Sequence, residues 1–266
     1  MLFDIIGRKI RPVELRLFLK WLFRIKRQRI SLLDGRIYEI DPISNLGLHL
    51  IKHGYYEAEM TEQIKKLLGK GDTFIDIGAN EGYFSILASK LVSESGKVYS
   101  IEPQERLWKI ILKNAMINQL SNIHLLPFGI GSTNEELKLQ LYPSINSGAT
   151  TFSKSYGFKV AFVEIRNKMY GYQYSKVITL DSIADIFPAE IKLVKIDIEG
   201  FEFEALKGAQ RLLEKKRINH LLVEIHHSVL QKINQSEELI DTFMQNFGYI
   251  KTKVCSNLNL YSNIQK

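Results

Sequence analysis

The chain is short of cysteine, proline and long apolar runs, and each shortage excludes a class of protein. Its 266 residues include one cysteine and six prolines. A lone cysteine forms no intrachain disulfide and no cysteine-based metal cluster, which favours a reducing compartment. No run of about 18 uncharged apolar residues occurs, so we predict no membrane-spanning helix. No apolar segment precedes a small-residue cleavage site, so we expect no signal peptide and a cytoplasmic protein.

The remaining composition is typical of a chain that buries a sizeable core. Hydrophobic residues make up 45% of the sequence and charged residues 24%, which excludes a disordered chain. The net charge of +7 is unevenly placed, because residues 1–30 hold nine basic and two acidic side chains. The rest of the chain is therefore neutral. We expect no nucleic-acid partner, since such a partner requires a basic face on the folded domain.

Residues 13–29 carry this charge on a pattern of helical period. Basic residues recur on one side and apolar residues on the other. We predict a helix here, within a basic amphipathic N-terminal extension over residues 1–50. Two interpretations stay open: peripheral contact with an anionic membrane, or packing of the apolar side on the rest of the chain or on a second subunit of a homo-oligomer. The basic residues are Arg16, Lys20, Arg24 and Arg27, and the apolar ones are Leu15, Phe18, Leu19, Leu22 and Ile25.

From residue 72 onward, short apolar segments alternate with helical segments. This alternation predicts βαβ units and an α/β fold with a doubly wound, mostly parallel sheet over residues 51–266. Residues 131–176 interrupt the rhythm with polar segments, which we interpret as an acceptor-side insertion with a polar lid around residues 146–151. Ligands bind such sheets at the carboxyl ends of the strands. The predicted strands include residues 73–77, 98–102, 123–128, 192–198 and 219–226.

The loop after the first of these strands contains Asp76, Gly78, Asn80 and Gly82. Glycines allow close backbone approach to a ligand. Asp76 stands where the dinucleotide-binding pattern has its first glycine, so a pyrophosphate is disfavoured. A carboxylate there suits a cationic ligand, such as the sulfonium and amine of S-adenosylmethionine. Glu102 follows the second strand, where an acidic residue can accept both hydroxyls of a ribose. The alternative is that the glycines only shape a turn and Glu102 is a solvated carboxylate.

Two further pairs of polar residues follow later strands. Asp197 and Glu199 are two positions apart and so share a face in extended geometry, although Glu199 could equally cap the next helix. Glu224 and His226 share a face in the same way. They could form a general base with its orienting acid, contribute metal ligands together with Asp197, or include a buried glutamate paired with a lysine. We assign no metal ligand from the sequence.

Together these motifs resemble the FkbM-type S-adenosylmethionine-dependent methyltransferases over about residues 54–250. The resemblance rests on residues 73–85 (TFIDIGANEGYFS), on Glu102-Pro103 and on residues 194–202 (VKIDIEGFE). It implies a class I, Rossmann-like, seven-stranded sheet. It also implies S-adenosyl-L-methionine as cofactor. The cofactor-binding residues carried over by motif are Asp76, Gly78, Asn80, Gly82, Glu102 and Asp197.

The resemblance implies O-methylation of a hydroxyl of a sugar, glycan or related metabolite. The candidates for the base are His226, Glu199 and Asp197, in that order. Residues 128–132 lack the acidic or alanine-rich character expected after the third strand, and residues 1–50 have no counterpart in the family. Alternatives are an N-methyltransferase of the same fold, a nicotinamide-dependent oxidoreductase, which Asp76 disfavours, and a membrane-associated nucleoside-binding protein without catalysis.

Overall fold

A computed structural model describes residues 13–143, 151–152 and 171–263. Most of the predicted lid, residues 146–150, lies outside this range. Helices and strands alternate along the described residues. The helices are α1 (Val13–Leu22), α2 (Asn45–His53), α3 (Ala58–Leu67), α4 (Tyr83–Val92), α5 (Glu105–Ile117), α6 (Glu202–Lys207), α7 (Gln210–Glu214), α8 (His227–Leu230) and α9 (Glu237–Asn246). The strands are β1 (Gln28–Ser31), β2 (Ile37–Ile40), β3 (Thr73–Ile77), β4 (Lys97–Ile101), β5 (Ile123–Leu126), β6 (Gly129–Ile130), β7 (Glu135–Gln140), β8 (Thr151–Phe152), β9 (Tyr172–Ile178), β10 (Ile191–Ile196), β11 (Ile218–Glu224), β12 (Tyr249–Lys253) and β13 (Leu258–Asn263).

Seven strands form the central sheet, in the order β12-β13-β11-β10-β3-β4-β5. The strands from β11 to β5 pair in parallel, and β13 pairs antiparallel with both β11 and β12. β3 is buried at every position and β10 at all but Lys192, and both are mostly apolar, as strands covered on two faces are. The predicted doubly wound, mostly parallel sheet is confirmed. Its strand order reverses between β3 and β10, which is where such sheets bind ligands.

The N-terminal helix is shorter than the pattern predicts. We expected it to continue to residue 29, and this is wrong, because α1 ends at Leu22 and Gln28–Ser31 form β1. Arg24 has a φ of 48°. Its N–H donates to Trp21 O, and Ile25 N–H donates to Lys20 O. These bonds form a left-handed helix stop of the Schellman type, and β1 then pairs antiparallel with β2.

The apolar side of α1 faces solvent and its cations face the domain. Lys20 forms an ion pair with the buried Asp41, and Arg27, just beyond the helix, forms one with the buried Glu81. Trp21 is 73% exposed. Leu15, Phe18, Leu22 and Phe23 are exposed as well. Apart from the half-buried Leu19 and Ile25, the apolar side therefore faces away from the domain in the described part of the chain. No described helix is long and apolar enough to cross a bilayer.

Strand β2 is held to the domain by two amide side chains, one in α5 and one on the residue that follows it. Asn114 accepts a hydrogen bond from Glu39 N–H at 2.8 Å, and Asn118 accepts from Ile37 N–H at 2.9 Å while donating to Ile37 O at 2.6 Å. These side chains pair with the strand as a neighbouring strand would. Tyr38 and Ile40 of β2 consequently enter a core shared with β3 and α4.

The segment between β5 and β10 forms a second sheet of four strands, in the order β6-β9-β7-β8. Gln173 on β9 donates a hydrogen bond to Pro103 O at 2.6 Å, which fixes this sheet beside the carboxyl end of β4. Leu139 of β7 and Phe152 of β8 line a cavity next to Glu102. The described part of the predicted insertion thus borders this cavity.

Candidate functional site

The site begins where β3 and β10 end side by side. Gly78 follows β3 with a φ of +83°, and a Cβ atom at this position would lie 2.0 Å from Asp197 O. Only glycine permits this approach. Gly78, Asn80 and Asp197 form a wall shared by two cavities, which we call the Glu102 cavity and the His226 cavity. A ligand that extends from one to the other passes over these three residues.

The Glu102 cavity combines one carboxylate with apolar surface. Glu102 Oε2 accepts a hydrogen bond from Asn80 N–H, and Oε1 accepts one from Gln104 N–H, both at 2.8 Å. Burial raises the pKa of Glu102 to about 7, although these two bonds lower it. Each oxygen keeps a second lone pair, so the carboxylate can still accept hydrogen bonds from a diol. Apolar lining comes from Leu139, Phe152, Pro103 and Ile198.

The His226 cavity lies on the other side of the shared wall and is strongly acidic. Five residues with carboxyl groups line it, including Glu81, and Lys195 and His226 are its cationic residues. Its residues come from the ends of β3, β10 and β11 and from the turn before α3. Its lining includes Tyr56, Glu57, Tyr83, Lys195, Asp197, Glu199, Glu224 and His226.

His226 is fixed by a buried carboxylate behind it. Its Nδ1 lies 2.8 Å from Oε1 of Glu202, whose side chain has no exposed surface. Its Nε2 lies 3.5 Å from Glu199 Oε2 and 3.9 Å from Asp197 Oδ1. Burial lowers the pKa of His226, but the hydrogen bond to Glu202 and the nearby carboxylates outweigh burial and raise it to about 10. In the ligand-free protein the imidazole is therefore protonated at neutral pH.

The carboxyl groups of this cavity hold protons more tightly than usual. Burial raises the pKa of Glu199, the charge of His226 lowers it and the charge of Asp197 raises it, and the net result is a pKa of about 7. Burial and the charge of Asp197 also raise the pKa of Glu57 to about 7 and that of Glu224 to about 8. Glu224 Oε1 accepts a hydrogen bond from Asn257 Nδ2 at 2.6 Å. A carboxyl group with a pKa near 7 is well matched to general base catalysis.

Lys195 is a fully buried cation that links both sides of the site. Its Nζ lies 3.2 Å from Asp76 Oδ1 and 3.4 Å from Asp197 Oδ2, and it donates to Gly78 O at 3.1 Å. Burial lowers the pKa of Lys195, but these carboxylates outweigh it, so the amine stays charged. Lys195 thereby holds the Gly78 loop and the start of the segment after β10 in one arrangement.

The structure brings together most of the residues that the sequence singles out. Of the nine residues, Gly78, Asn80 and Asp197 line both cavities, and four others line one cavity each. Asp76 and Gly82 line neither. Asp76 is fully buried and accepts a hydrogen bond from Ser85 Oγ at 2.7 Å, so it acts on the cavities through Lys195. The four residues that line one cavity are Glu102, Glu199, Glu224 and His226.

Sequence reasoning missed three side chains of the site. Lys195 had a usable signal, because a lysine inside a fully buried strand requires a carboxylate partner. Glu202 is the last residue of the segment 194–202 quoted above, but its role is visible only through its bond to His226. Glu57 reaches the site from a turn with a φ of 44°, 140 positions before Asp197. Nothing in its local sequence indicates this contact.

Comparison with known proteins gives a family match and distant relatives. A sequence model described as the Methyltransferase FkbM domain matches residues 76–251, more than half of the chain. Methyltransferase sdnD of Sordaria araneosa is 26% identical over 153 residues, covering 50% of this chain and 59% of the relative. Methyltransferase 1 of Beauveria bassiana is 21% identical over 146 residues, covering 52% and 58%. The chain thus spans less than two thirds of the length of these relatives.

Solved structures give a weaker similarity of the same kind. The FkbM methyltransferase from Methylobacillus flagellatus KT is 16% identical with a TM-score of 0.46, covering 76% of this chain and 50% of that one. The range matched by the family, residues 76–251, contains every predicted cofactor-binding and catalytic residue. Helix α1 lies outside it.

Proposed function

This chain belongs to the FkbM methyltransferase family, and on that premise we propose that it is an S-adenosylmethionine-dependent O-methyltransferase acting on a hydroxyl of a sugar, glycan or related metabolite. One observation carries the oxygen specificity. A carboxyl group with a pKa near 7, Glu199, lies beside the imidazole of His226 in the cavity next to the Gly78 loop. A hydroxyl must lose its proton as it is methylated, and such a group can take it.

The two cavities fit S-adenosylmethionine. Glu102 has free lone pairs for a ribose diol, and Phe152 and Ile198 give apolar surface for a purine ring. Beyond the shared wall, the carboxylates of the His226 cavity suit the cationic sulfonium and amine. When bound, the cofactor supplies an electrophilic methyl group. Gly78, Asn80, Glu102 and Asp197 would hold it, while Asp76 supports the loop from below.

In the proposed reaction the acceptor oxygen forms a bond to the methyl carbon as the carbon–sulfur bond breaks, and the hydroxyl proton passes to a base. Glu199 replaces His226 as our first candidate for this base. The pKa of about 10 leaves His226 protonated at neutral pH, whereas a pKa of about 7 leaves much of Glu199 ionised. His226 then orients Glu199, and positioning of the reacting atoms contributes most of the acceleration.

The acceptor class rests on the polarity of the cavity. Glu57, Glu199 and Glu224 offer carboxylate oxygens close together, and carboxylates accept hydrogen bonds from several hydroxyls at once. A molecule rich in hydroxyls, such as a sugar, supplies the matching donors. A simple apolar alcohol would leave these oxygens unpaired, which is unfavourable in a buried site.

The test combines binding and transfer. We expect calorimetry to detect binding of S-adenosylhomocysteine and no binding of NAD. We also expect labelled S-adenosylmethionine to transfer its methyl group to acceptors that carry hydroxyl groups. Glu199→Gln should then lower kcat by about 10²–10⁴-fold with little change in S-adenosylhomocysteine affinity. Glu214→Gln, in α7 and away from both cavities, is the matched control and should turn over normally. Binding of NAD alone would refute the family-based cofactor, and transfer only to amines would refute the oxygen specificity.

A further inference from the structure

We propose that Asp197, Glu224 and His226 bind a divalent metal ion in the His226 cavity. Each offers one ligand atom, and these three atoms lie within 4.8 Å of one another. The sequence alone did not support such an assignment, because β10 and β11 had first to be shown as neighbours with their carboxyl ends aligned. The site itself depends only on this geometry, whereas the role given below to the ion rests on the proposed function.

The orientation of His226 points to a cation in front of it. Nδ1 is engaged by Glu202 at 2.8 Å, so Nε2 is the atom that faces the cavity. That nitrogen lies 3.5 Å from a Glu199 oxygen and 3.9 Å from an Asp197 oxygen. In the ligand-free protein the proton on Nε2 faces these two carboxylates, and a divalent ion that binds here would take the place of that proton. Histidine ligands of metal ions characteristically donate their other N–H to a carboxylate, as His226 does to Glu202.

A second observation comes from Glu57, on a different segment of the chain. Its Oε2 atom is shielded from solvent and receives no hydrogen bond within the described part of the chain, although Tyr56 forms a hydrogen bond with the same carboxyl group, and the residue lines the same cavity. The cavity also has more carboxylates than cations. Lys195 is shared between Asp76 and Asp197, and His226 is shared among Asp197, Glu199 and Glu202, so both cations already pair with other carboxylates. A bound divalent ion would supply the missing positive charge.

The ligand types favour a hard ion such as Mg²⁺ or Mn²⁺. Carboxylates suit Mg²⁺ and Mn²⁺, imidazole is compatible with Mn²⁺, and no thiolate is present to select a softer metal. Metal–ligand distances of about 2.1–2.2 Å place two ligand atoms at most about 4.4 Å apart, so the three side chains must approach by a few tenths of an ångström. Three protein ligands leave positions for water and for the acceptor hydroxyl. Such an ion would make the proton of a nearby acceptor hydroxyl easier for Glu199 to remove.

Electron paramagnetic resonance with Mn²⁺ tests the site on the whole chain without acceptor. We expect one bound Mn²⁺, competed by Mg²⁺, and a loss of affinity of about tenfold or more in Glu224→Gln and in His226→Ala. His227→Ala is the matched control. His227 is the next residue, but its imidazole contacts Ser256 O and Glu237 instead, so its replacement should leave Mn²⁺ affinity unchanged.

Two outcomes would overturn the metal site: no Mn²⁺ bound at millimolar concentration, or equal binding by the wild type and both cavity variants. S-adenosylhomocysteine affinity, measured on the same samples, separates this result from the proposed function. Mn²⁺ binding without S-adenosylhomocysteine binding would support the metal site and refute the cofactor. The reverse pattern would refute the metal site alone.

The outward side of α1 carries an independent inference. We infer that its apolar surface, made of Leu15, Phe18, Trp21, Leu22 and Phe23, docks on an anionic lipid surface. All five side chains are at least 44% exposed. The orientation is fixed by Lys20 and Arg27, which form ion pairs with Asp41 and Glu81 of the domain. Aromatic and leucine side chains facing outward from a short helix are typical of helices that lie in a membrane interface.

The charges around this surface match anionic lipid. No acidic residue occurs between positions 15 and 33, and Arg24, Lys26 and Arg29 are exposed. Each cation near an anionic bilayer contributes about 1 kcal/mol to binding. A second copy of the chain fits less well, because a two-fold interface brings the same surface of both copies together and places these cations against each other.

Vesicle co-sedimentation tests the lipid surface. We expect binding to vesicles that contain phosphatidylserine, little binding to pure phosphatidylcholine, and release by salt. The double variant Phe18→Ser, Trp21→Ser should lose about tenfold or more in partitioning, since two interfacial aromatic side chains are removed. Leu33→Ser is the matched control, because Leu33 is fully exposed on the β1–β2 turn. Equal binding by the double variant, or a wild-type dimer that this variant dissociates without vesicle binding, would refute the inference.

Discussion

At the scale of single residues, the site is recognisable by groups whose ionisation the fold makes unfavourable. Glu57, Glu199 and Glu224 share one cavity, and burial is the largest cause of the raised pKa of each. A fold selected only for stability would not collect such groups, so clusters of them are typical of functional sites. The stability of the ligand-free protein should therefore depend on pH in a specific direction.

We predict that the free energy of unfolding of the ligand-free protein falls as pH rises from 5.5 to 8.5. The native state binds protons more tightly than the unfolded state at Glu57 and Glu199, with pKa values of about 7, and at Glu224, at about 8. Their stabilising contribution is complete below the ordinary glutamate pKa of about 4.3 and is lost as pH passes through the native values. His226 acts in the same direction, losing its contribution as pH passes through about 10.

Urea unfolding at three pH values measures this dependence. Glu224→Gln should reduce the difference in free energy of unfolding between pH 5.5 and 8.5, because it removes one of the groups that bind protons more tightly in the native state. Glu62→Gln is the control, since Glu62 is exposed and its ion pair with Lys65 lies on the surface of α3, and it should keep the wild-type dependence. Stability that rises with pH over this window would contradict the assignment of these groups.

The sequence predicts membership of the site for those residues that directly follow a predicted strand. Asp197 and Glu199 follow β10, and His226 follows β11, so parallel strand pairing brings them together. Lys195 and Glu57 gain their roles from contacts across the fold, which no local pattern contains. The sequence also could not decide whether His226 is a better candidate base than Glu199, because the pKa of His226 depends on the buried Glu202 behind the ring.

At the scale of elements, close backbone approach decides where segments end and turn. Gly208 separates α6 from α7, and a Cβ atom there would lie 2.0 Å from Gly131 O. Gly78 is constrained in the same way against Asp197. The local sequence does not show this, because each partner is distant along the chain. The turn that ends α1 contains Arg24, a non-glycine residue with a φ of 48°. The sequence did not predict this end, because no glycine marks it.

We predict that Gly78→Ala destabilises the protein far more than Gly35→Ala. Both glycines have φ near +80°, but a Cβ at Gly35 meets nothing within 4 Å, whereas one at Gly78 overlaps Asp197 O at 2.0 Å. The φ alone costs about 1–2 kcal/mol. The overlap should add about 1–3 kcal/mol and separate β3 from β10.

Urea unfolding of both variants gives the comparison, and S-adenosylhomocysteine affinity gives a second readout. Gly35→Ala should bind as the wild type does, and Gly78→Ala should bind at least tenfold more weakly because the shared wall is displaced. Equal destabilisation by the two substitutions would show that the close approach at Gly78 is not a constraint of the fold.

At the scale of the whole molecule, the class of fold was predictable and the direction of its N-terminal helix was not. Alternating apolar and helical segments suffice to predict a doubly wound sheet. An amphipathic pattern gives a helix two sides but does not say which side meets the domain. That choice depends on Asp41 and Glu81, buried acceptors for Lys20 and Arg27. The net charge of +7 therefore includes cations that hold the molecule together as well as cations that face outward.

The position of β13 has a consequence for how the protein is made. This strand lies between β11 and β12, and Asn257, just before it, holds Glu224 through its side chain and Ile225 through its carbonyl. During synthesis, the Gly78 loop and Glu102 leave the ribosome long before Asn257 does. A nascent chain can therefore form the Glu102 cavity early, while the His226 cavity stays open until residues up to Asn263 have emerged. On the proposed function, we expect catalytic competence to be gained in one late step of biogenesis.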